Sequence, residues 1–348
     1  MEKAKILFFD TKPYDQEYFD QANQGHDFTI QYLKGHLNRE SVDFTTGYSV
    51  VCCFVNDDLN QEVIARLKEN GVRLIAMRCA GYNNVDLKAA YGHIPVVRVP
   101  GYSPHAVAEH ATALMMALNR KTHKAYSRTR DGNFSINGLI GFDLHGKTAG
   151  IIGTGKIGTC LIDILNGFGM EVLAYDLKPN PELAGQHHFS YVGLDDLYAR
   201  SDVISLHCPL TPETHHLICQ ASIGKMRPGV MLINTGRGGL INTLDLIDGL
   251  KSGQIGSAGL DVYEEESEYF FEDFSFSVIN DDILARLLMF PNVLVTSHQG
   301  FFTREALTNI AETTLENVRE FFSGGYLKNE ICYRCNQNCL KKKKQRCF

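Results

Sequence analysis

Three polar residues carry the side chains that a proton-coupled reduction needs: Arg237, Glu266 and His298. Arg237 lies in Asn-Thr-Gly-Arg-Gly-Gly and His298 in Ser-His-Gln-Gly, while Glu266 closes the run Asp261-Val262-Tyr263-Glu264-Glu265-Glu266. Each follows a β-rich run, which predicts a place at a strand's carboxyl end, where open α/β sheets hold ligands. A guanidinium fork binds a carboxylate through two bonds. An imidazole titrates near neutrality and passes a proton to a developing alkoxide. A carboxylate beside it orients the ring and raises its pKa. The trio therefore suits reduction of a 2-keto acid. Taken singly, each residue also reads as a surface arginine, a cap or surface glutamate, or a core histidine with its hydrogen bonds satisfied. Spacing alone does not bring the three together.

A hydride donor has a site of its own. Gly153, Gly155 and Gly158 in Gly-Ile-Ile-Gly-Thr-Gly-Lys-Ile-Gly follow one strand and precede a helix. The first glycine permits the tight turn, the second lets a pyrophosphate reach the backbone, and the third lets helix pack on strand. Asp176 ends the next strand, at the distance where an acidic residue takes the ribose 2′-hydroxyl. A carboxylate there favours NAD and repels a 2′-phosphate, although Lys178 stands two residues on. The bland alternatives are a structural glycine turn and a solvated loop lysine.

The elements around these motifs alternate. Ile6 to Phe9, Ser49 to Phe54, Arg73 to Met77 and Pro95 to Val99 read as strands, with a helix between Leu59 and Asn70. A second series begins at Thr148 and continues with strands at Glu171 to Tyr175, Asp202 to His207, Val230 to Asn234, Ser257 to Leu260 and Val293 to Thr296. Ser103 to Arg130 reads as one long helix bridging two domains. A second long helix, Thr303 to Phe322, is expected to return the chain to the first domain. The expected fold class is α/β with parallel sheets flanked by helices.

Composition excludes other classes. At 348 residues the chain fits about two domains, and 44% hydrophobic with 21% charged residues is ordinary for a globular protein. A net charge of −6 favours neither nucleic acid nor an anionic membrane. No apolar run approaches the ~20 residues that span a bilayer. The short apolar start soon meets Asp10 and is no signal peptide, so the cytoplasm is the expected location. Cys52, Cys53, Cys79, Cys160, Cys208 and Cys219 show no pairing pattern and read as reduced thiols.

The motifs together resemble the D-isomer-specific 2-hydroxyacid dehydrogenases. The similarity runs from about Lys5 to Asn329. It includes Phe54-Val55-Asn56-Asp57-Asp58, Arg78-Cys79-Ala80-Gly81-Tyr82-Asn83-Asn84-Val85-Asp86, the glycine turn, Ser205-Leu206-His207-Cys208-Pro209-Leu210-Thr211-Pro212 and the surroundings of Arg237, Glu266 and His298. The resemblance implies two Rossmann-like domains with the active site in the interdomain cleft. Residues 1–101 plus 300–330 would form the substrate-binding domain, 102–299 the NAD-binding domain and 331–348 a disordered tail. It makes Arg237 the carboxylate and carbonyl anchor, His298 the acid-base and Glu266 its partner, chosen over Glu264 and Glu265 by spacing from Asp261. It adds Ala80, Gly81, Tyr102 and Phe301 as substrate contacts. To the cofactor set it adds Lys156, Ile157, Cys208, Pro209, Thr214, Thr235, Gly236 and Asp261. No metal is expected.

Substrate choice rests on finer signs. Ser267 follows Glu266 where glycerate-type relatives carry proline. The aromatic-acidic stretch Tyr269-Phe270-Phe271-Glu272-Asp273-Phe274 is similar to the subgroup acting on pyruvate and D-lactate. Gly101 and Gly300 stand where alanine is expected; trimming a methyl near the pocket would admit a bulkier 2-keto acid. A non-catalytic NADH-sensing regulator is the alternative of another class. A homodimer or dimer of dimers is expected through Ser103 to Arg130, from its apolar Ala113, Leu114, Met116 and Leu118. Beyond the resemblance, Cys332, Cys335, Cys339 and Cys347 with the lysine run read as a charged extension rather than a zinc site, since no second C-x-x-C closes it.

Overall fold

The structure is a computed structural model that describes residues 4–265 and 269–334. The chain divides into two compact units, Met1–Ser103 with Phe302–Phe348 and Pro104–Phe301.

The first unit opens with β1 (Lys5–Phe8), α1 (Pro13–Asn23), β2 (Thr29–Tyr32) and β3 (Val50–Cys53). It continues with α2 (Gln61–Glu69), β4 (Leu74–Met77), α3 (Leu87–Ala90) and β5 (Val96–Val97). Strands β3 and β4 are buried throughout, as short unbroken apolar runs in a covered parallel sheet must be. Strand β2, Thr-Ile-Gln-Tyr, lies on the sheet edge with alternate residues exposed, and its polar sequence gave no strand signal.

The carboxyl ends of β1 and β4 are tied together by Arg78. Its buried guanidinium donates to the carbonyls of Phe9 and Asp10 at 3.1 and 2.7 Å. The rings of Phe8 and Phe54 flank it at 4.5 and 4.6 Å, and Asp15 lies 3.5 Å away. This clamp fixes the start of the Cys79-Ala80-Gly81 loop.

The second unit opens with α4 (Pro104–Arg120) and α5 (Thr122–Arg130). The single helix expected over Ser103 to Arg130 is therefore two. Lys121 adopts the left-handed conformation (φ 50°) and its ammonium bonds the carbonyls of Gly138 and Ile140 at 3.0 and 2.9 Å, which ends α4. Of the apolar residues named on α4, Ala113 is exposed and Met116 half-buried. Leu114 and Leu118 are buried, seated over Gly259, where an added Cβ would approach both side chains to 3.1 Å. Phe134, Ile136 and Ile140, just beyond α5, are among the exposed apolar side chains of this unit, as is Tyr126 within α5.

The rest of this unit is one winding of strands and helices. The chain runs β6 (Thr148–Ile152), α6 (Lys156–Gly167), β7 (Glu171–Tyr175), α7 (Pro181–Gln186), β8 (Ser190–Tyr191), α8 (Leu194–Arg200) and β9 (Val203–Leu206). It then runs α9 (Gln220–Ile223), β10 (Val230–Asn234), α10 (Thr243–Ser252), β11 (Ile255–Leu260), α11 (Asp282–Met289) and β12 (Val293–Val295). The sheet order is β12-β11-β10-β9-β6-β7-β8, with every pairing parallel. The winding reverses between β6 and β9, the switch point at which such sheets bind ligands.

The chain then returns to the first unit. Helix α12 (Arg304–Phe322), capped by the Thr303 side chain on the Ala306 N–H, packs against α1 and β4. Strand β13 (Glu330–Ile331) pairs antiparallel with β5 and completes the order β13-β5-β4-β3-β1-β2. Ile331 and Cys332, assigned to the tail by sequence, are buried here, while Cys335, Cys339 and Cys347 lie outside the described residues. No described helix is long and apolar enough to cross a membrane.

Candidate active site

In the second unit, Arg237, Asp261 and His298 stand at the same edge of the sheet. They follow β10, β11 and β12, three adjacent parallel strands whose ends are in register: Asn234 faces Leu260, and Leu260 faces Val295. Neighbouring strands lie about 4.8 Å apart, so the three loops leave the sheet side by side.

His298 is held in a left-handed turn (φ 53°), a conformation that costs a non-glycine residue energy and persists only when its surroundings impose it. Asp261 imposes it. The Asp261 carbonyl accepts the His298 N–H at 2.8 Å. The buried Asp261 carboxylate accepts Thr296 Oγ1 at 2.6 Å, Gln299 N at 2.9 Å and Gly300 N at 2.7 Å. His110 Nε2, from α4, lies 3.2 Å from the same carboxylate and 3.0 Å from Thr296 Oγ1. Burial pushes the Asp261 pKa up, but the bonds from His110 and Thr296, with the His110 charge and the Gly300 N–H, hold it below the ordinary carboxylate value. His110 and Thr296 carried no signal in the sequence, where 186 residues separate them.

Gly300 lacks a methyl for a different reason than pocket size. An added Cβ would come within 2.9 Å of Asp261 Oδ2, so glycine makes room for the carboxylate. At Gly101 an added Cβ meets nothing within 4 Å.

Arg237 is half-buried, and its loop is braced by Asn234, which donates to the Arg237 carbonyl at 2.9 Å and accepts the Gly236 N–H at 3.0 Å. Gly238 lets this loop press on the acidic run, since a Cβ there would fall 2.0 Å from the Tyr263 carbonyl. Within that run Glu264 is already committed. Its oxygens take His216 Nε2 at 2.6 Å, the Thr243 N–H at 2.8 Å and the Thr243 hydroxyl at 2.5 Å. Glu265 is exposed. Glu266 and Ser267 lie outside the described residues. Phe271, from the aromatic stretch that follows, sets its ring 5.9 Å from that of His298.

The other half of the edge fits a dinucleotide. Gly153 takes φ 100°, and a Cβ on it would strike the His207-Cys208 backbone at 2.6–2.7 Å. Gly158 seats α6 against the turn, with a Cβ position 2.0 Å from the Gly153 carbonyl. At Gly155 a Cβ meets no protein atom within 4 Å, so packing does not explain the glycine; approach of a ligand to the backbone does. Lys156 and Ile157 begin α6, whose N-terminus has no side-chain cap. Asp176 accepts the Thr154 N–H and hydroxyl and the Lys178 N–H, and these bonds outweigh burial and hold its pKa below the ordinary value. A cavity of about 410 Å³ opens here, lined by Gly155, Asp176, Leu194, Cys208, Pro209 and Thr214. Apolar walls, with the Asp176 carboxylate at the end of β7, suit a ring and a ribose. Thr235 Oγ1 is buried with no partner among the described residues, a polar atom that a ligand would satisfy. Gly236 follows it, and an added Cβ there would meet Asn234 and Leu206 only at ordinary contact distance, 3.5 Å.

Residues 112–300 match the family D-isomer specific 2-hydroxyacid dehydrogenase, NAD binding domain. The chain belongs to the D-isomer specific 2-hydroxyacid dehydrogenases. It is 50% identical over 329 residues to the D-lactate dehydrogenase of Escherichia coli, covering 94% of this chain and 99% of that one. It is 52% identical over 331 residues to a 2-hydroxyacid dehydrogenase homolog of Haemophilus influenzae, with the same coverage. Its fold matches the pyruvate reductase of Chlamydomonas reinhardtii with a TM-score of 0.89 at 44% identity, over 94% of this chain and 98% of the other. Like its family, the enzyme is an NAD-dependent oxidoreductase.

The remaining sequence-selected residues belong to the family's other unit or its border. Ala80 and Gly81 follow β4, where the Ala80 carbonyl accepts Arg98 Nη1 at 2.5 Å and the Gly81 carbonyl accepts Cys79 Sγ at 3.2 Å. The Tyr102 carbonyl accepts Asn309 Nδ2 at 2.7 Å. Phe301 is buried at the end of the second unit.

His207, behind the glycine turn, gives a pH signature. Burial pushes its imidazole from 6.5 down to about 4, with Ser205 Oγ 2.8 Å from Nε2. The unfolded chain therefore binds a proton here before the folded one does, and the stability present above pH 6.5 is lost as pH falls toward about 4. Thermal melts over that window should show a smaller acid-side loss in His207→Gln than in the unmodified enzyme. Equal slopes would assign the loss to the carboxylates alone.

Proposed function

We propose that the enzyme is a D-lactate dehydrogenase, reducing pyruvate to D-lactate with NADH and running in reverse with NAD. The observation that carries this reading is the fixed His298 turn, set beside Asp261 on the strand next but one to Arg237. NADH supplies the hydride when bound. Arg237 anchors the substrate carboxylate through its planar fork, and protonated His298 gives its proton to the carbonyl oxygen as C2 is reduced. In the reverse direction neutral His298 takes the hydroxyl proton. We assign Glu266 to the imidazolium as its partner, now without competition from Glu264, whose oxygens are occupied. We assign substrate contacts to Ala80, Gly81, Tyr102 and Phe301. The cofactor roles of Lys156, Ile157, Cys208, Pro209, Thr214, Thr235, Gly236 and Asp261 belong to the same proposal.

The choice of pyruvate draws support from the D-lactate dehydrogenase and the pyruvate reductase to which the chain is similar at 50% and 44% identity. We place the enzyme in the cytoplasm, where the free thiols of its described cysteines would persist. We further propose a homodimer, joined through the Ser103 to Arg130 segment together with the exposed Phe134, Ile136 and Ile140 that follow it. Light scattering at micromolar concentration should give twice the chain mass, and a monomer would refute it.

The activity is tested by NADH oxidation with pyruvate, 2-ketobutyrate, phenylpyruvate, hydroxypyruvate and glyoxylate, with chiral analysis of the product. Pyruvate should be the best substrate, give D-lactate, and react far faster with NADH than with NADPH. His298→Gln should lower kcat by ~10²–10⁴-fold. Arg237→Lys should raise KM and lower kcat, since a point charge lacks the fork. NADH binding without turnover of any of these acids would favour the sensing regulator.

A further inference from the structure

A cluster outside the reaction site has ligand chemistry of its own. His215, His216 and Glu264 each bring a ligand atom within 4.8 Å of the others, in the second unit. The two imidazoles stack with centroids 3.8 Å apart. The turn that presents them is fixed: His216 is left-handed (φ 52°), and its N–H bonds the Gly239 carbonyl at 2.8 Å. Glu264 is fixed as well, by both bonds from Thr243 at the start of α10. His215 is exposed and its ring is free of such bracing.

We propose that His215, His216 and Glu264 form a site for a divalent transition metal of the zinc class. Two imidazole nitrogens and one carboxylate oxygen, with the fourth position open to water, are a donor set that zinc accepts. Tetrahedral ligands about 2.0–2.1 Å from the ion stand roughly 3.3 Å apart. The 2.6 Å contact of His216 Nε2 with Glu264 must therefore open by under 1 Å, while exposed His215 closes in from its present distance. The ion takes the ring nitrogen and carboxylate oxygen that now face each other at 2.6 Å, replacing their mutual hydrogen bond. The carboxylate oxygen facing Thr243 remains the support behind the ligand.

The position gives the ion a consequence. His215 and His216 continue the loop whose Thr211, Glu213, Thr214 and Leu217 line the cofactor cavity. Glu264 lies in the acidic run on which Gly238, next to Arg237, is pressed. A bound ion pins the cofactor loop to the segment that leads to Glu266, and so restrains two loops that must fit the same ligand.

Zinc and cobalt(II) chlorides titrated into the full-length protein test the site, by calorimetry and by visible absorption. One ion per chain should bind with micromolar affinity. Cobalt should show a spectrum of nitrogen and oxygen ligands, without the charge-transfer band that thiolates of the cysteine-rich tail would give. His215→Gln should weaken binding at least about tenfold and leave the metal-free kcat and KM unchanged. Absence of binding, a thiolate spectrum, or equal affinity in His215→Gln would each overturn the proposal.

Discussion

The Asp261 carboxylate is the constraint on which the His298 half of the sheet edge depends. A carboxylate this deeply buried is costly unless donors surround it, and here Thr296, Gln299, Gly300 and His110 do. Three of these donors, Thr296, Gln299 and Gly300, flank His298 in the chain. Satisfying the buried charge and fixing the backbone turn at His298 are thus one event. The left-handed backbone at His298 is strain of about 1–3 kcal/mol held by that network. Charge-assisted hydrogen bonds of about 1.5–3 kcal/mol each are enough to hold it.

The neighbouring loops obey the same economy of space. Gly238 and Gly300 are glycines because a carbonyl or a carboxylate occupies the room a methyl would need. Gly153 and Gly158 do likewise on the cofactor side, where backbone meets backbone. The Glu264 oxygens are claimed by His216 and Thr243. Close contact, more than the type of each residue, decides which polar groups remain available for chemistry.

Much of this was readable in the sequence, for physical reasons. Strands β3 and β4 are unbroken apolar runs, β6, β9 and β10 are apolar but for Thr148, Ser205 and Asn234, and the carboxyl ends of β6 and β10 locate the cofactor loop and Arg237. Strand β2 was invisible because an edge strand with one exposed face carries few apolar residues. The break in the long helix at Lys121 was equally hidden. Lysine gives no turn signal, and its conformation is set by carbonyls of Gly138 and Ile140 that follow much later in the chain. His110 and Thr296 escaped notice because their pairing with Asp261 is purely tertiary. Gly300 was read as a pocket-widening change, whereas its Cβ direction points at Asp261.

Thr296→Val tests the central constraint most directly, because valine keeps the shape and removes only the hydroxyl that donates to Asp261 at 2.6 Å. Steady-state reduction of pyruvate should lose kcat by about tenfold or more, as expected for one charge-assisted bond of about 1.5–3 kcal/mol. The NADH dissociation constant, from fluorescence titration, should stay within about twofold. An unchanged kcat would show that the turn carrying His298 does not depend on the Asp261 network.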